Sequence, residues 1–135
     1  MIVSTTTVRV RYAEVDRLAA VNSARYFEWF ELARSDLLRA AGIPYGSLEE
    51  RGFMLPVVEA NCRYVAKLGY DEIVRIEASL DVLSPVRLRF SFEVLRVEDA
   101  GAAVAASGFT EHAVINRSGA LTRLPADVLA VLSGG

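Results

Sequence analysis

Residues 24–44 read ARYFEWFELARSDLLRAAGIP, and this stretch decides the fold. Its apolar side chains recur at steps of three and four residues, which is the spacing of one face of a helix. The members of this stripe are Ala24, Phe27, Phe30, Ala33, Leu37, Leu38 and Ala41. Asn22 and Ser23 are preferred helix-capping residue types, and Gly42 is a strong stop signal. The spacing therefore predicts one helix of about eighteen residues.

Outside this helix the apolar residues follow the period of two that is typical of β-strands. The predicted strands lie near residues 8–12, 58–66, 74–82, 88–94 and 103–116, and short helices are predicted near 45–51 and 125–132. Short, turn-like connections between the later strands favour an antiparallel meander. Trp29 and Leu32 lie off the helical stripe, so more than one helix face is expected to be covered. The order of elements predicts an α+β domain with a sheet of about five strands around the helix, although other helix-on-sheet folds share it.

Composition narrows the possible functions of the chain. The 135 residues are predicted to form one domain, residues 1–135, and the 53% hydrophobic content suggests subunit contacts. A net charge of −2 gives no basis for binding nucleic acid, and one cysteine with one histidine argues against a disulfide or a zinc site. The N-terminus lacks an apolar signal segment, and no run approaches the roughly 20 apolar residues of a membrane helix. We therefore expect a cytoplasmic protein without metal or redox cofactor.

One acid, Asp16, precedes the long helix by a short loop. We expect its carboxylate to be partly desolvated and to face the N-terminus of the helix, where it could act as a general base or as a nucleophile. Free N–H groups near Ser23 and Ala24 could hold a developing oxyanion. An acid beside a helix terminus is a minimal acyl-transfer site that needs no serine, histidine or metal. The alternative is that Asp16 is an ordinary loop or capping residue.

Other polar residues fit structural roles better than chemistry. Glu31 could be a second site carboxylate, but we expect it to be a solvated residue or a partner for Arg34 three residues later. His112 and Cys62 lie on predicted strands, and neither has a catalytic partner nearby in the sequence. Four basic residues are expected to face water, although they could meet ligand phosphates: Arg63, Lys67, Arg87 and Arg89.

The residues around Asp16 resemble the opening of the hotdog-fold acyl-CoA thioesterases, the group that includes 4-hydroxybenzoyl-CoA thioesterase. That opening runs approximately Y/F-x-D/E-T/V-D-x-x-G and then, after a variable stretch, A/N-x-Y-x-x-F/W-x-E-x-A-R. The residues in register are Tyr12, Glu14, Val15, Asp16, Tyr26, Phe30, Glu31, Ala33 and Arg34. The likeness continues through residues 52–80 and ends at 118–132, so it covers essentially the whole chain.

The resemblance implies an α+β hotdog fold, in which a long central helix is wrapped by an antiparallel sheet of about five strands. It implies homodimers joined edge to edge, often paired into homotetramers, with active sites at the dimer interface. Asp16 would match the catalytic aspartate, and the backbone N–H near Ser23 would polarise the thioester carbonyl. The candidate substrate-binding residues are Asn22, Tyr26, Phe27 and Phe30, and the alternative for each of the three aromatic residues is a place in the core. CoA would be part of the substrate, and an acyl-carrier protein is the alternative carrier.

Three positions depart from the family pattern. Ala19 replaces the glycine usual three residues after the aspartate, and Ala20 and Ser23 stand where branches of the family carry histidine. Any mechanism that requires an imidazole at those positions is excluded, whereas a mechanism that uses only the aspartate remains. A non-catalytic acyl-CoA-binding protein with the same fold is the alternative, and a hydratase is disfavoured because no Asp/His pair has a suitable spacing.

Overall fold

The computed structural model describes residues 1–134, which form five strands, three α-helices and one 3₁₀ turn. In chain order they are β1 (Ile2–Arg9), the 3₁₀ turn (Tyr12–Glu14), α1 (Arg25–Ala40), α2 (Tyr45–Glu50), β2 (Val57–Tyr64), β3 (Ile73–Ser84), β4 (Arg87–Glu98), β5 (Gly101–Ala113) and α3 (Ala126–Leu132). Every predicted element is present. β1 is the one whose bounds differ most, because it begins at Ile2 and ends before the predicted strand does.

The five strands form one antiparallel sheet in the order β1-β3-β4-β5-β2. The predicted meander is correct for β3, β4 and β5 and wrong for β2. The free side of β3 is already occupied by β1, which pairs from Ile2 opposite Leu80 to Arg9 opposite Ile73. Strand β2 therefore pairs with β5 at the far edge, and residues 65–72 form a crossover rather than a hairpin.

Helix α1 lies in the concave side of the sheet and supplies much of the core. The ring of Phe30 stacks on that of Phe92 with 4.4 Å between centroids. Gly108 on β5 makes this approach possible, because a Cβ there would lie 2.9 Å from Cε2 of Phe30 and would also clash with the carbonyl oxygen of Asn61. A long helix wrapped by an antiparallel sheet is the hotdog arrangement, so this expectation is confirmed.

The buried face of α1 is rotated relative to the predicted stripe. Its buried members are Tyr26, Trp29, Phe30, Ala33, Leu37 and Leu38. Phe27 is 38% exposed and Leu32 is 51% exposed, whereas Trp29 is buried. Trp29 can lie on the buried face because its indole N–H donates to the buried carboxylate of Glu14.

Strand β2 is exposed along almost its whole length. Within residues 1–134 it pairs only with β5, and only Cys62 among its residues is half-buried. This exposure follows from the place of β2 at the edge of the sheet, beyond the cover of α1. Among the described residues, no helix is long and apolar enough to cross a membrane.

Candidate active site

Asp16 sits at the start of a tight loop that connects β1 to α1. Its N–H donates to the carbonyl of Ala20 at 2.9 Å, and its own carbonyl accepts from Ala19 at 3.1 Å. Ala19 has a φ of 59°, in the left-handed region that favours glycine. The loop thus keeps the left-handed turn at the position where the family pattern has glycine. This conformation costs an L-residue such as alanine about 1 kcal/mol of stability.

A buried acid two residues before Asp16 fixes this loop onto the helix. Oε2 of Glu14 accepts a hydrogen bond from the indole N–H of Trp29 at 2.9 Å, and the Glu14 carbonyl accepts from the N–H of Asn22 at 2.8 Å. The N–H of Val21 donates to the carbonyl of Leu68 at 2.8 Å. These bonds hold both ends of the loop, so the position of Asp16 is set by the core.

The peptide between Asn22 and Ser23 presents a free donor at the start of α1. Its carbonyl accepts from the N–H of Arg25 at 2.9 Å, so it points into the first helical turn. In a trans peptide the N–H points the opposite way, and the N–H of Ser23 is therefore directed out of the helix terminus. No acceptor for this N–H is found within residues 1–134. The N–H of Ala24, the other predicted donor, is already taken by Oδ1 of Asn22 at 2.9 Å.

The next peptide, between Ser23 and Ala24, is held at both of its polar atoms. The hydroxyl of Tyr64 on β2 donates to the Ser23 carbonyl at 2.6 Å, while Asn22 holds the Ala24 N–H from the other side. We call this pair of bonds the peptide clamp. Because the two peptides share the Cα atom of Ser23, the clamp restricts the direction in which the free Ser23 N–H points.

The Ser23 peptide and Asp16 line the same surface groove, whose volume is about 350 Å³. Its lining residues are Asp16, Leu18, Ala20, Val21, Ser23, Tyr26, Tyr64, Val65, Ala66 and Lys67. Oδ1 of Asp16 accepts from the N–H of Leu18 at 2.8 Å, and within the described chain Oδ2 has no hydrogen-bond donor. Asp16 is exposed, so the expected partial desolvation is absent in the single chain.

Tyrosine and thiol groups around the groove stay protonated near neutral pH. Burial raises the pKa of Tyr26 to about 12, and the rings of Tyr26 and Tyr64 meet edge to face at 4.9 Å. Burial likewise raises the pKa of the Cys62 thiol. The Tyr26 hydroxyl and the Cys62 thiol are therefore poor nucleophiles, and the Tyr64 hydroxyl already donates its hydrogen to the Ser23 carbonyl.

Lys67 is the one basic side chain that lines the groove. Its carbonyl accepts from Arg96, which is also paired with Glu72 at 2.7 Å, so the backbone there is fixed. Within residues 1–134 no carboxylate oxygen lies within 4.0 Å of its ammonium group. Arg87 and Arg89, by contrast, are paired with Glu111, and this pairing holds the pKa of that carboxyl below its usual range.

The structure brings together only some of the predicted site residues. Asp16, Ser23 and Tyr26 line the groove. The side chain of Asn22 caps Ala24, Phe30 is fully buried in the core, and Phe27 packs edge to face on Phe30 outside the groove. Sequence reasoning did not assign a site role to Tyr64, which is separated from Ser23 by 41 residues, and no spacing signals their contact.

Two further predictions concern the middle of α1 and strand β5. Glu31 is exposed, as expected for a solvated residue, and it forms no ion pair with Arg34, since no carboxylate of the described chain lies within 4.0 Å of Arg34. His112 is buried with both ring nitrogens hydrogen-bonded, which confirms a structural histidine. No group of three His, Cys, Asp or Glu side chains in residues 1–134 is placed to hold a metal ion.

Comparison with known proteins identifies the family to which the chain belongs. The chain is 33% identical to a provisionally named esterase of Aquifex aeolicus, over 92% of this chain and 93% of that protein. It is 30% identical to a provisionally named acyl-CoA thioesterase of Bacillus subtilis, over 70% of this chain and 68% of that protein. The crystal structure of a DHNA-CoA thioesterase from Staphylococcus aureus superimposes with a TM-score of 0.90 at 29% identity, covering 98% of this chain and 90% of that one. Residues 10–132 match the sequence profile of the thioesterase-like superfamily, and the chain belongs to that superfamily.

Proposed function

We propose that the protein hydrolyses acyl-CoA thioesters to a carboxylic acid and free CoA in the groove that contains Asp16. The observation that carries this proposal is the joint placement of an acid and an unpartnered backbone donor, the Ser23 N–H, on one groove wall. Relatives and structural neighbours named as thioesterases support the same reaction class.

In the proposed reaction the thioester carbonyl oxygen accepts a hydrogen bond from the Ser23 N–H. Asp16 either takes a proton from a water molecule that attacks the carbonyl carbon or attacks that carbon itself. The carbonyl π electrons move onto oxygen, where the Ser23 N–H and the positive end of the α1 dipole stabilise the charge. Collapse of the tetrahedral species breaks the C–S bond and releases the CoA thiolate, which takes up a proton. Direct attack would leave an anhydride, which one water molecule then hydrolyses to the product acid and free Asp16.

A single turnover in ¹⁸O-labelled water tests for direct attack by Asp16. Label found in the Asp16 carboxyl group demonstrates direct attack with hydrolysis at that carboxyl. Label confined to the product acid excludes that route and fits either water activation or an anhydride hydrolysed at its acyl carbon.

We further propose that the active unit is at least a dimer. β2 has an unpaired outer edge within the described chain, and Val57, Val58, Tyr64 and Val65 along it are exposed. A second copy on this edge would cover the groove, because Tyr64 and Val65 belong to both surfaces, and would desolvate Asp16. Sedimentation equilibrium tests this assembly, and a catalytically active monomer would overturn it.

The primary test measures thiol release from a panel of aliphatic and aromatic acyl-CoAs. Asp16→Asn keeps the oxygen that accepts from Leu18, so the loop is retained while the basic carboxylate is lost. We expect kcat to fall at least about 100-fold. Asp81→Asn, an exposed acid on β3 outside the groove, is the matched control and should keep wild-type activity. Binding of acyl-CoA without turnover by the wild type would instead favour a non-catalytic binding protein.

The carrier is tested by comparing acyl-CoA with the matching acyl-pantetheine thioester. Lys67 offers an unpaired positive charge at the groove, which suits the phosphates of CoA. Lys67→Ala is expected to raise KM for acyl-CoA and to leave KM for acyl-pantetheine unchanged. An equal effect on both substrates would remove Lys67 from phosphate binding.

A further inference from the structure

A second cavity, of about 230 Å³, lies beside the middle of α1 and shares no lining residue with the Asp16 groove. Its residues are Glu31, Arg34, Ser35, Leu38, Tyr45, Leu55, Phe90 and His112. Arg34 lies nine residues beyond Arg25, the first residue of α1, or about 14 Å along the helix axis. The proposed reaction gives this cavity no role.

Arg34 is the charged group that dominates this cavity. Its guanidinium is largely desolvated, which lowers its pKa, yet no carboxylate of residues 1–134 lies within 4.0 Å. Its one hydrogen bond in the described chain runs from Nη1 to Oγ1 of Thr110 at 3.4 Å. A guanidinium has five N–H donors, so most of them are left without an acceptor. Arg34 is half-buried and its unbonded nitrogens are reached by solvent, so these donors are open to a ligand.

The neighbouring groups on α2 and β5 offer no anionic acceptor to Arg34. Nδ1 of His112 lies 2.8 Å from the carbonyl of Leu55, which only accepts, so Nδ1 carries the proton. Nε2 of His112 then accepts from the hydroxyl of Thr110 at 2.9 Å. The hydroxyl oxygen of Tyr45 accepts from the N–H of Leu55 at 3.2 Å, which leaves the Tyr45 hydrogen free to donate. Donors therefore converge on the cavity from two elements. Glu31, the one acid in the lining, is exposed, and its charge raises the pKa of Arg34 against the larger, opposite effect of burial without forming an ion pair.

We infer that this cavity binds a small carboxylate carried on a compact apolar body. The planar fork of Arg34 matches a carboxylate in a bidentate pair, and the Tyr45 hydroxyl can donate to the same group. Leu38, Leu55 and Phe90 form apolar walls for the rest of the ligand. The volume is below the roughly 300–1,000 Å³ of pockets for drug-sized ligands, so the ligand is of benzoate or hexanoate size. This site goes beyond the proposed thioesterase reaction, because binding there needs no turnover.

Isothermal titration at pH 7 with benzoate and hexanoate, set against benzamide and hexanamide, tests the inference. We expect saturable binding of the acids, at least about tenfold tighter than that of the neutral amides. Arg34→Gln should weaken acid binding at least about tenfold. The matched control is Arg39→Gln, which removes an exposed arginine of the same helix that is paired with Asp36, and it should bind as the wild type does.

Glu31→Gln keeps the test decisive even where Arg34→Gln fails to fold. Glu31 is exposed, so its replacement is tolerated, and removing its negative charge from the rim should tighten acid binding about two- to fivefold. Absence of saturable acid binding, equal affinity for acid and amide, or weaker acid binding in Glu31→Gln would each overturn the inference.

The carboxylate can come from two sources, a free acid or the far end of an acyl group bound by a neighbouring copy. A non-hydrolysable acyl-CoA thioether whose acyl chain ends in a carboxylate distinguishes them. Displacement of benzoate by this compound, but not by the thioether with a methyl terminus, supports the site and assigns it to the acyl group. Binding of benzoate that neither thioether changes supports a site for free acids.

Discussion

Removing the hydroxyl of Tyr64 should slow turnover while leaving the fold and substrate binding nearly intact. Tyr64→Phe breaks the 2.6 Å bond to the Ser23 carbonyl and thereby opens one side of the peptide clamp. The bond from Asn22 to the Ala24 N–H remains, so the helix still begins at the same residue. The ring of Tyr64 also remains against Tyr26, so the groove keeps its shape.

The expected changes in stability and in kcat follow from the loss of this one hydrogen bond. Tyr64 is 45% exposed, so water replaces part of its bond and the free energy of unfolding should fall by only about 1 kcal/mol. A fall of that size lowers Tm by about 3–6 °C in a chain of this length. Outright removal of an oxyanion donor costs roughly 100–1,000-fold in kcat, and a donor that is retained but less well oriented should cost about tenfold. KM should change by less than about twofold, since the clamp favours the transition state over the ground state.

The assay is thiol release with the acyl-CoA that the wild type turns over best, with kcat and KM determined separately. Tyr70→Phe is the matched control, because Tyr70 is exposed, stacks only on Tyr12 and has no hydroxyl bond in the described chain. A Tyr64→Phe enzyme with lowered Tm but unchanged kcat would refute the reasoning, because the clamp would then serve folding alone.

Four further outcomes are expected. Ala19→Gly should raise the free energy of unfolding, measured by urea titration, by up to about 1 kcal/mol. Glycine relieves the strain of the left-handed backbone at position 19, although it also makes the unfolded chain more flexible. A loss of stability would contradict the presence of this strain. Gly108→Ala should lower the free energy of unfolding by about 1–3 kcal/mol, because the new methyl group meets the ring of Phe30. Unchanged stability would mean that β5 can shift to make room for the methyl group. Ser23→Ala should keep kcat within about twofold, because it preserves the backbone donor, and a much larger loss would assign the role to the hydroxyl. Burial lowers the pKa of His112, the single histidine, from 6.5 to about 4, so the unfolded chain binds a proton between these values that the folded chain does not. Stability should therefore fall by about 2 kcal/mol from pH 7 to pH 5, and His112→Gln should remove this slope.

Local periodicity was sufficient to predict which helices and strands form, but not which strands lie at the two edges of the sheet. The alternation in β3 and β4 is dictated by burial against α1, so the bounds could be read from the residues. The position of β2 depends on which strand pairs with the free edge of β3. That strand is β1, and the pairing brings Ile2 opposite Leu80, which is distant along the chain. No local pattern contains this information, and the exposure of β2 follows from it.

The candidate site also combines local features that could be predicted with long-range contacts that could not. Asp16 and Ser23 were predicted from a loop acid, a helix start and a family motif, which are all local. The clamp from Tyr64 and the buried bond between Glu14 and Trp29 join residues that are distant along the chain. Phe30 fitted a substrate pocket by type alone, because a stripe of aromatic residues looks the same whether it faces a ligand or a core.

In the proposed reaction, the substitutions that separate this chain from its family pattern leave stabilisation of the oxyanion to the backbone. At position 19 the loop still adopts the left-handed turn without glycine, since Glu14 and Val21 hold it on either side. At position 23 a small side chain leaves the N–H accessible where a histidine would supply an imidazole. Orientation of that N–H comes from Asn22 and from Tyr64, which lies on the strand whose outer edge is free. Because Tyr64 belongs to both the clamp and this edge, pairing of a second copy there would desolvate Asp16 and restrict the oxyanion donor in a single event, so catalysis and assembly should rise and fall together.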